Sequence, residues 1–395
     1  MSGIAENNAE KYHAELYKRF GLTMVRGKGT SLYDEDGKEY LDALAGIAVC
    51  GLGHCHPAVT EAVTEQFSKL VHVSNLFYNH PQSELAGLLV EKSGFDRVFF
   101  CNSGAEAVEG AVKAARRHRL KANASGDIIS MENCFHGRTL GTIAMGKKKY
   151  RKGFDPIPEG FRRVPFNDID ALESAVTDKT TAIVIEPVQG EGGVYPADEN
   201  FLRRARELCD ENGAVLIFDE IQCGMGRSGS LFAFEHYGVI PDIVTMAKVL
   251  GNGFPIGAVL MRGAVASALS YGEHGTTFGG NPPACAAGLA TLRTIIEENL
   301  LDHIKKRSAH FFDTLYKIKE KNSSVKDVRG LGLMIGVEIE GKSTDVVKIM
   351  REKHRVIAGV AGDSVVRFLP PYIITDEEID TVAGSLEKAI EEVCQ

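Results

Sequence analysis

Ala214-Val215-Leu216-Ile217-Phe218-Asp219-Glu220-Ile221-Gln222 decides how this chain is read. A short, continuously apolar run that ends in acids has the pattern of a strand buried on both faces, with carboxylates at its carboxyl end. A second such run, Ile243-Val244-Thr245-Met246-Ala247, ends in Lys248, 29 residues beyond Asp219. A carboxylate and an amine at the carboxyl ends of neighbouring strands suit a pyridoxal phosphate site. The lysine would hold the cofactor's aldehyde as a Schiff base, and the aspartate would keep the ring nitrogen protonated so that the ring takes up electrons.

Outward from these two runs, strand-like and helical patterns alternate. Arg97–Cys101 precedes a helix over Ser103–His118; Ile128–Met131 follows; Ala182–Glu186 precedes a helix over Glu199–Glu211; Ile256–Met261 adds a further strand. Such alternation predicts a mostly parallel sheet covered by helices on both faces. After Leu300 the rhythm changes to a long amphipathic helix, short strands near Val325–Val328, Leu333–Glu340 and Val365–Leu369, and a last helix opened by the capping box Thr375-x-x-Glu378. The expectation is a large domain over 57–295, with a smaller α+β domain built from 1–56 and 296–395. A ligand then belongs at the carboxyl ends of the strands, near the cleft.

Composition excludes several classes. With 45 basic and 53 acidic residues the net charge is −8, which argues against a general affinity for nucleic acid or anionic membrane. No apolar stretch approaches the roughly 18 residues that suggest a membrane span. Met1–Glu10 is polar, so a cytoplasmic protein is expected. The eight cysteines are scattered without a C-x-x-C pair, as suits reduced thiols rather than a disulfide framework. His54-Cys55-His56 has no second ligand cluster and precedes Pro57, so it reads as a turn and no metal is expected.

Each remaining candidate carries a plain reading beside a chemical one. Ser103 and Glu106 form an S-x-x-E helix start; Gly104 and Ala105 would also leave bare N–H groups for a phosphate at the positive helix end. In Phe135-His136-Gly137-Arg138-Thr139, Phe135 is either packing or a lid on a flat ring whose other face meets Ile221, and Arg138 offers a fork for a carboxylate. Glu191, in the glycine-rich turn that leaves Glu186, is either solvated or the counter-charge of a nearby arginine. His274–Pro282 is a turn in which Thr277 could add a hydroxyl to a phosphate. Gly224-Met225-Gly226-Arg227-Ser228-Gly229 matches the dinucleotide pattern, but no clear helix follows it. Lys147–Lys152 reads as a solvated basic loop in a chain of net charge −8.

Seven stretches together resemble one family. They are SGAEAVEGAVKAAR (Ser103–Arg116), FHGRT (Phe135–Thr139), EPVQGEGGV (Glu186–Val194), FDEIQCGMGRSG (Phe218–Gly229), AKVLGNGFPIGAV (Ala247–Val259), TTFGGNP (Thr276–Pro282) and VVRFLPP (Val365–Pro371). In this order they resemble the class III, or ω-amino-acid, branch of the pyridoxal-phosphate-dependent aminotransferases, and within it the acetylornithine aminotransferases.

The resemblance implies an α/β protein of the pyridoxal-phosphate-dependent transferase fold type I, the aspartate-aminotransferase-like fold. It makes Lys248 the Schiff-base lysine, Asp219 the partner of the pyridine nitrogen and Gln222 a neighbour of the ring hydroxyl. Ser103, Gly104 and Ala105 would hold the phosphate with Thr277 of a second subunit, so a homodimer is implied. Phe135, Ile221 and Glu186 join the cofactor contacts. Arg138 is implied to grip the distal carboxylate of acetylornithine, and Arg367 the α-carboxylate of glutamate, with Glu191 covering Arg367 in the other half-reaction. Thr276 and Ile47 complete the substrate contacts; ornithine enzymes usually carry a tyrosine where Ile47 stands.

The implied reaction moves the δ-amine of N2-acetyl-L-ornithine to 2-oxoglutarate. It gives N-acetyl-L-glutamate 5-semialdehyde and L-glutamate, a step of arginine biosynthesis. Related transaminases of succinylornithine, succinyldiaminopimelate, GABA or ornithine stay open, as does an aminomutase of the glutamate-1-semialdehyde type.

Overall fold

The computed structural model of the chain describes residues 4–124 and 126–394. Its centre is a seven-stranded sheet ordered Arg97–Cys101, Gly257–Met261, Ile243–Met246, Val215–Asp219, Ala182–Ile185, Ile128–Met131 and Phe161–Val164. Val215–Asp219 runs parallel to both of its neighbours, with Asp219 opposite Thr245. Gly257–Met261 alone runs antiparallel, against Ile243–Met246 on one side and Arg97–Cys101 on the other. All five residues of Val215–Asp219 are buried, which accounts for the continuous apolar run. The helix Gly104–Lys121 covers one face through Ala107, Ala111, Ala114 and Ala115, whose small side chains let it lie close to the strands. Glu199–Asn212 packs Phe201, Leu202, Ala205 and Leu208 into the core on the opposite side.

A second sheet of four strands, in the order Val325–Leu331, Met334–Ile339, Val365–Phe368 and Gly359–Ala361, is antiparallel throughout. The helices Leu300–Lys321, Ser343–His354 and Asp376–Cys394 accompany it in sequence. Near the amino end, three short strands over Met24–Asp42 form a meander that Val356–Ile357 joins in parallel. The expected capping box at Thr375 is present: Glu378 N–H donates to Thr375 Oγ1 at 3.2 Å and Thr375 N–H to Glu378 Oε2 at 2.8 Å.

Two sequence readings change, and the rejection of the dinucleotide pattern holds. The Ile243 strand stops at Met246, and Lys248 opens a single turn of 3₁₀ helix with φ +47°, a left-handed conformation that a side chain adopts only where its surroundings enforce it. Lys147 does not belong to a solvated loop. It is half-buried, and its ammonium donates to the Glu191 carbonyl at 2.7 Å. The dinucleotide-like glycines form no phosphate loop. They place Arg227 wholly inside the protein, where Nη1 donates to the Leu333 carbonyl at 3.0 Å and to that of Pro370.

Candidate active site

Asp219 is fixed from three directions. Its Oδ1 accepts from Thr245 Oγ1 and from Ile221 N–H, each at 3.1 Å. Its Oδ2 accepts from His136 Nδ1 at 2.6 Å. Burial disfavours a charged His136, yet neighbouring Cys134 and the bond to Asp219 outweigh it and raise the imidazole well above its ordinary value. The result is a buried histidine–carboxylate pair whose carboxylate lines a cavity of about 400 Å³. Glu220, next in sequence, turns away from it. Its carboxylate accepts from Ala233 and Phe234 N–H and caps a short helix, so its role is structural.

Lys248 lines the same cavity. Burial, then the charge of Arg367, lowers its pKa to about 8, against the opposing pull of Glu191, Asp219 and Glu186. An amine so tuned is partly neutral near physiological pH and can act as nucleophile or base.

The cavity is completed by groups the sequence had singled out. Ser103, Gly104 and Ala105 line it at the amino end of the helix Gly104–Lys121. Ser103 Oγ accepts from Glu106 N–H at 3.3 Å, but Glu106 reaches back one residue further than a capping box requires, taking Asn102 N–H at 2.5 Å. Gly104 has no room for a side chain, since a Cβ there would stand 2.8 Å from Ile221 Cδ1. Phe135, Ile221, Gln222 and Glu186 also line the cavity. Burial pushes the Glu186 carboxyl up to about 7, and its Oε2 accepts from Phe135 N–H at 3.0 Å. Arg138 lies at the exposed rim with its guanidinium 4.0 Å from the Tyr150 ring and 5.5 Å from that of Phe135.

Arg367, only 3% exposed, stands in the second sheet, and it and Glu191 adjoin the cavity through Gln222 without lining it. Its Nη1 donates to Glu191 Oε1 at 2.6 Å and to Gln222 Oε1 at 3.3 Å. Burial would raise the Glu191 pKa, but Arg367 prevails and holds it below the usual carboxylate range.

Three expected residues stand apart. Thr276 is tied to the cavity wall by accepting from Asn102 Nδ2 at 2.9 Å, while Thr277 is exposed and does not line the cavity. Ile47 is 44% exposed, and the wall there is Val49. Ala45, Gly46, Ile47 and Ala48 all have positive φ, between 50° and 66°, so this rim is a left-handed turn. Left-handed backbone costs roughly 1–2 kcal/mol per residue that bears a side chain.

His136, Thr245 and Lys147 are the residues that sequence reasoning passed over. For His136 the available signal was its place inside the quoted FHGRT stretch, between a candidate lid and a candidate arginine.

The family model "Aminotransferase class-III" matches residues 12–390. The chain belongs to the class-III aminotransferases. It is 54% identical over 387 residues to the acetylornithine aminotransferase of Methanocaldococcus jannaschii, covering 97% of each chain. It is 45% identical over 407 residues to the succinylornithine transaminase of Yersinia pseudotuberculosis, covering 100% of this chain and 98% of that one. Among solved structures, the ornithine aminotransferase of Toxoplasma gondii superimposes with a TM-score of 0.94 at 34% identity, over 98% of this chain and 94% of that one.

Class-III aminotransferases depend on pyridoxal phosphate, and this class-III chain presents a donor set that fits it. A helix amino terminus stands ready for the phosphate, a buried carboxylate for the ring nitrogen, and a lysine of lowered pKa for the aldehyde. Among the described residues, no helix is long and apolar enough to cross a membrane.

Proposed function

We propose that this aminotransferase moves the δ-amine of N2-acetyl-L-ornithine to 2-oxoglutarate, yielding N-acetyl-L-glutamate 5-semialdehyde and L-glutamate in arginine biosynthesis. The observation that carries the reading is the Glu191–Arg367 pair beside Lys248. An arginine that a carboxylate can cover or release suits two substrates that differ in where they carry their charge.

When bound, pyridoxal phosphate supplies the electron sink for charge that develops at the amine-bearing carbon. Ser103, Gly104 and Ala105 would hold its phosphate with backbone N–H groups and a hydroxyl, while Phe135 and Ile221 would flank its ring. Asp219, charged and braced by His136 and Thr245, keeps the ring nitrogen protonated. Lys248 Nζ carries the proton that must leave the substrate carbon and return elsewhere, a task for which a pKa near 8 leaves both forms populated. Arg138 takes the α-carboxylate of acetylornithine at the outer rim. Glu191 meanwhile neutralises Arg367, so the end of the substrate that bears the amine meets no bare cation. For 2-oxoglutarate, Glu191 withdraws and Arg367 takes the α-carboxylate.

The chain divides at 57 and 295 in this reading, so Arg367 enters from the smaller domain. We also propose a homodimer in which Thr277 of the partner subunit reaches the phosphate. Leu76, Phe77 and Tyr78 are 87%, 67% and 100% exposed, and Asn75 ties them to the Thr276–Gly279 turn by donating to the Gly279 carbonyl at 2.9 Å. Three exposed large apolar residues beside an exposed Thr277 and Phe278 form a patch that calls for a partner.

A donor panel assayed with 2-oxoglutarate tests the activity. Acetylornithine should give the highest kcat/KM; a higher value for ornithine or GABA would overturn the assignment. Succinylornithine is the second reading, favoured by the Yersinia relative, because an acyl pocket discriminates chain length weakly.

A further inference from the structure

The loop that carries Glu191 is held at both sides, whereas its side chain is held by Arg367. Upstream, Gln189 Nε2 donates to the Glu132 carbonyl at 2.8 Å. Downstream, Arg329 Nε donates to the Gly193 carbonyl at 2.9 Å. Arg329 is itself anchored, with Nη1 donating to Glu338 Oε2 at 2.6 Å and Asp327 Oδ2 at 3.0 Å, and its guanidinium lies 3.8 Å from the Tyr195 ring. Gly190 is wedged as well, since a Cβ there would fall 2.0 Å from Gln222 Oε1. When Arg367 is taken by a substrate carboxylate, Glu191 therefore moves by rotating its side chain rather than by shifting the loop.

A half-buried carboxylate expelled from its arginine needs another counter-charge. The cations that act most strongly on Glu191 are Arg367, Lys248 and Lys147. The first is engaged by substrate and the second by chemistry. Lys147 remains, and its ammonium already rests 2.7 Å from the backbone carbonyl of Glu191 itself. A rotation of the Glu191 side chain toward its own carbonyl brings the two charges together.

We propose that Lys147 is the second seat of the Glu191 switch, a positioning residue that receives the Glu191 carboxylate whenever Arg367 binds a 2-oxo acid. This rests on the reading in which Glu191 covers and uncovers Arg367. Lys147 then favours the uncovered state and acts on the acceptor half-reaction alone.

Single-turnover kinetics of the holoenzyme separate the two halves: loading with acetylornithine, then discharge by 2-oxoglutarate. In Lys147→Met, the kcat/KM for 2-oxoglutarate should fall roughly tenfold through a raised KM, and that for acetylornithine should change by less than about twofold, the scale of one charged contact. Lys147→Arg should restore the acceptor half, and Lys147→Met should add nothing in a Glu191→Gln background. Equal losses in both halves, no loss in either, or an undiminished loss in the Glu191→Gln background would each overturn the proposal. Should the methionine variant not fold, Lys147→Gln carries the same comparison. Glu191→Gln alone separates the two levels of the argument. If it leaves the ratio of the two half-reactions unchanged, the switch itself is wrong. If it shifts the ratio and Lys147→Met does not, only the role of Lys147 is wrong.

Discussion

His136 Nδ1 stands 2.6 Å from Asp219 Oδ2, with both side chains buried, so the carboxylate that faces the cofactor cavity is gripped from behind by an imidazole. The pair has a mechanical consequence. Asp219 cannot rotate without breaking three bonds, to His136, Thr245 and the Ile221 N–H, so its free edge stays aimed at one point.

Replacing His136 by Asn should leave Asp219 in place but less firmly held. A hydrogen bond to a charged group contributes about 1.5–3 kcal/mol, so roughly a ten- to hundredfold loss of cofactor affinity is expected. Equilibrium dialysis of the variant against pyridoxal phosphate measures it. Undiminished affinity would mean that Thr245 and the backbone suffice to orient the acid.

Lys248→Ala should abolish turnover and the visible absorbance that arises when the lysine engages the cofactor. The wild-type chain offers a finer check. With the Lys248 pKa lowered to about 8, the ammonium form dominates below that pH and the nucleophilic amine above it. The rate at which apoenzyme takes up pyridoxal phosphate should therefore climb with pH and level off above about 8. A rate that does not vary across that pH would show that the buried lysine is not the group that limits uptake.

Arg138 sits on the Tyr150 ring at 4.0 Å, presenting its fork at the cavity rim. Arg138→Ala should cost acetylornithine a ten- to hundredfold loss in kcat/KM, the scale of about 1.5–3 kcal/mol for a charged contact. N-acetyl-1,4-diaminobutane, which is acetylornithine without its carboxylate, should lose little. Parallel losses for both donors would take Arg138 out of substrate binding.

How much of this was legible in the sequence depended on how local each signal was. Asp219 and Lys248 could be read because one closes and the other follows a buried strand, and a strand buried on both faces announces itself as an unbroken apolar run. The antiparallel course of Gly257–Met261 left no mark in its residues, although its link carried one. Only Ala247–Ile256 separates it from the preceding strand, too short a stretch for the dozen or more residues of a parallel crossover. The Glu191–Arg367 pair joins residues 176 apart, and no periodicity reaches that far, so a counter-charge could be expected for Glu191 but only the resemblance named Arg367. His136 and Lys147 were missed because their roles lie in what they face. A histidine in a loop looks like packing, and a lysine among lysines looks like solvent-facing charge. Thr277 and Ile47 show the converse, since neither lines the cavity of a single chain.

Arg227 separates stability from catalysis. It is fully buried, bonded to the Leu333 and Pro370 carbonyls and 4.6 Å from the Tyr372 ring, and no carboxylate among the described residues is a hydrogen-bond partner of it. A buried arginine is expensive to desolvate, and burial lowers its pKa accordingly. That cost argues that methionine could be accommodated. The two carbonyls decide against it: left without a donor in the interior, each loses about 1–3 kcal/mol. Arg227→Met should therefore lower the free energy of unfolding by ~3 kcal/mol, read from urea titrations of the purified holoenzyme. The folded fraction should keep its cofactor absorbance, because Arg227 does not line the cavity. An unchanged urea midpoint would show that the interior repacks around the two carbonyls or admits water to them.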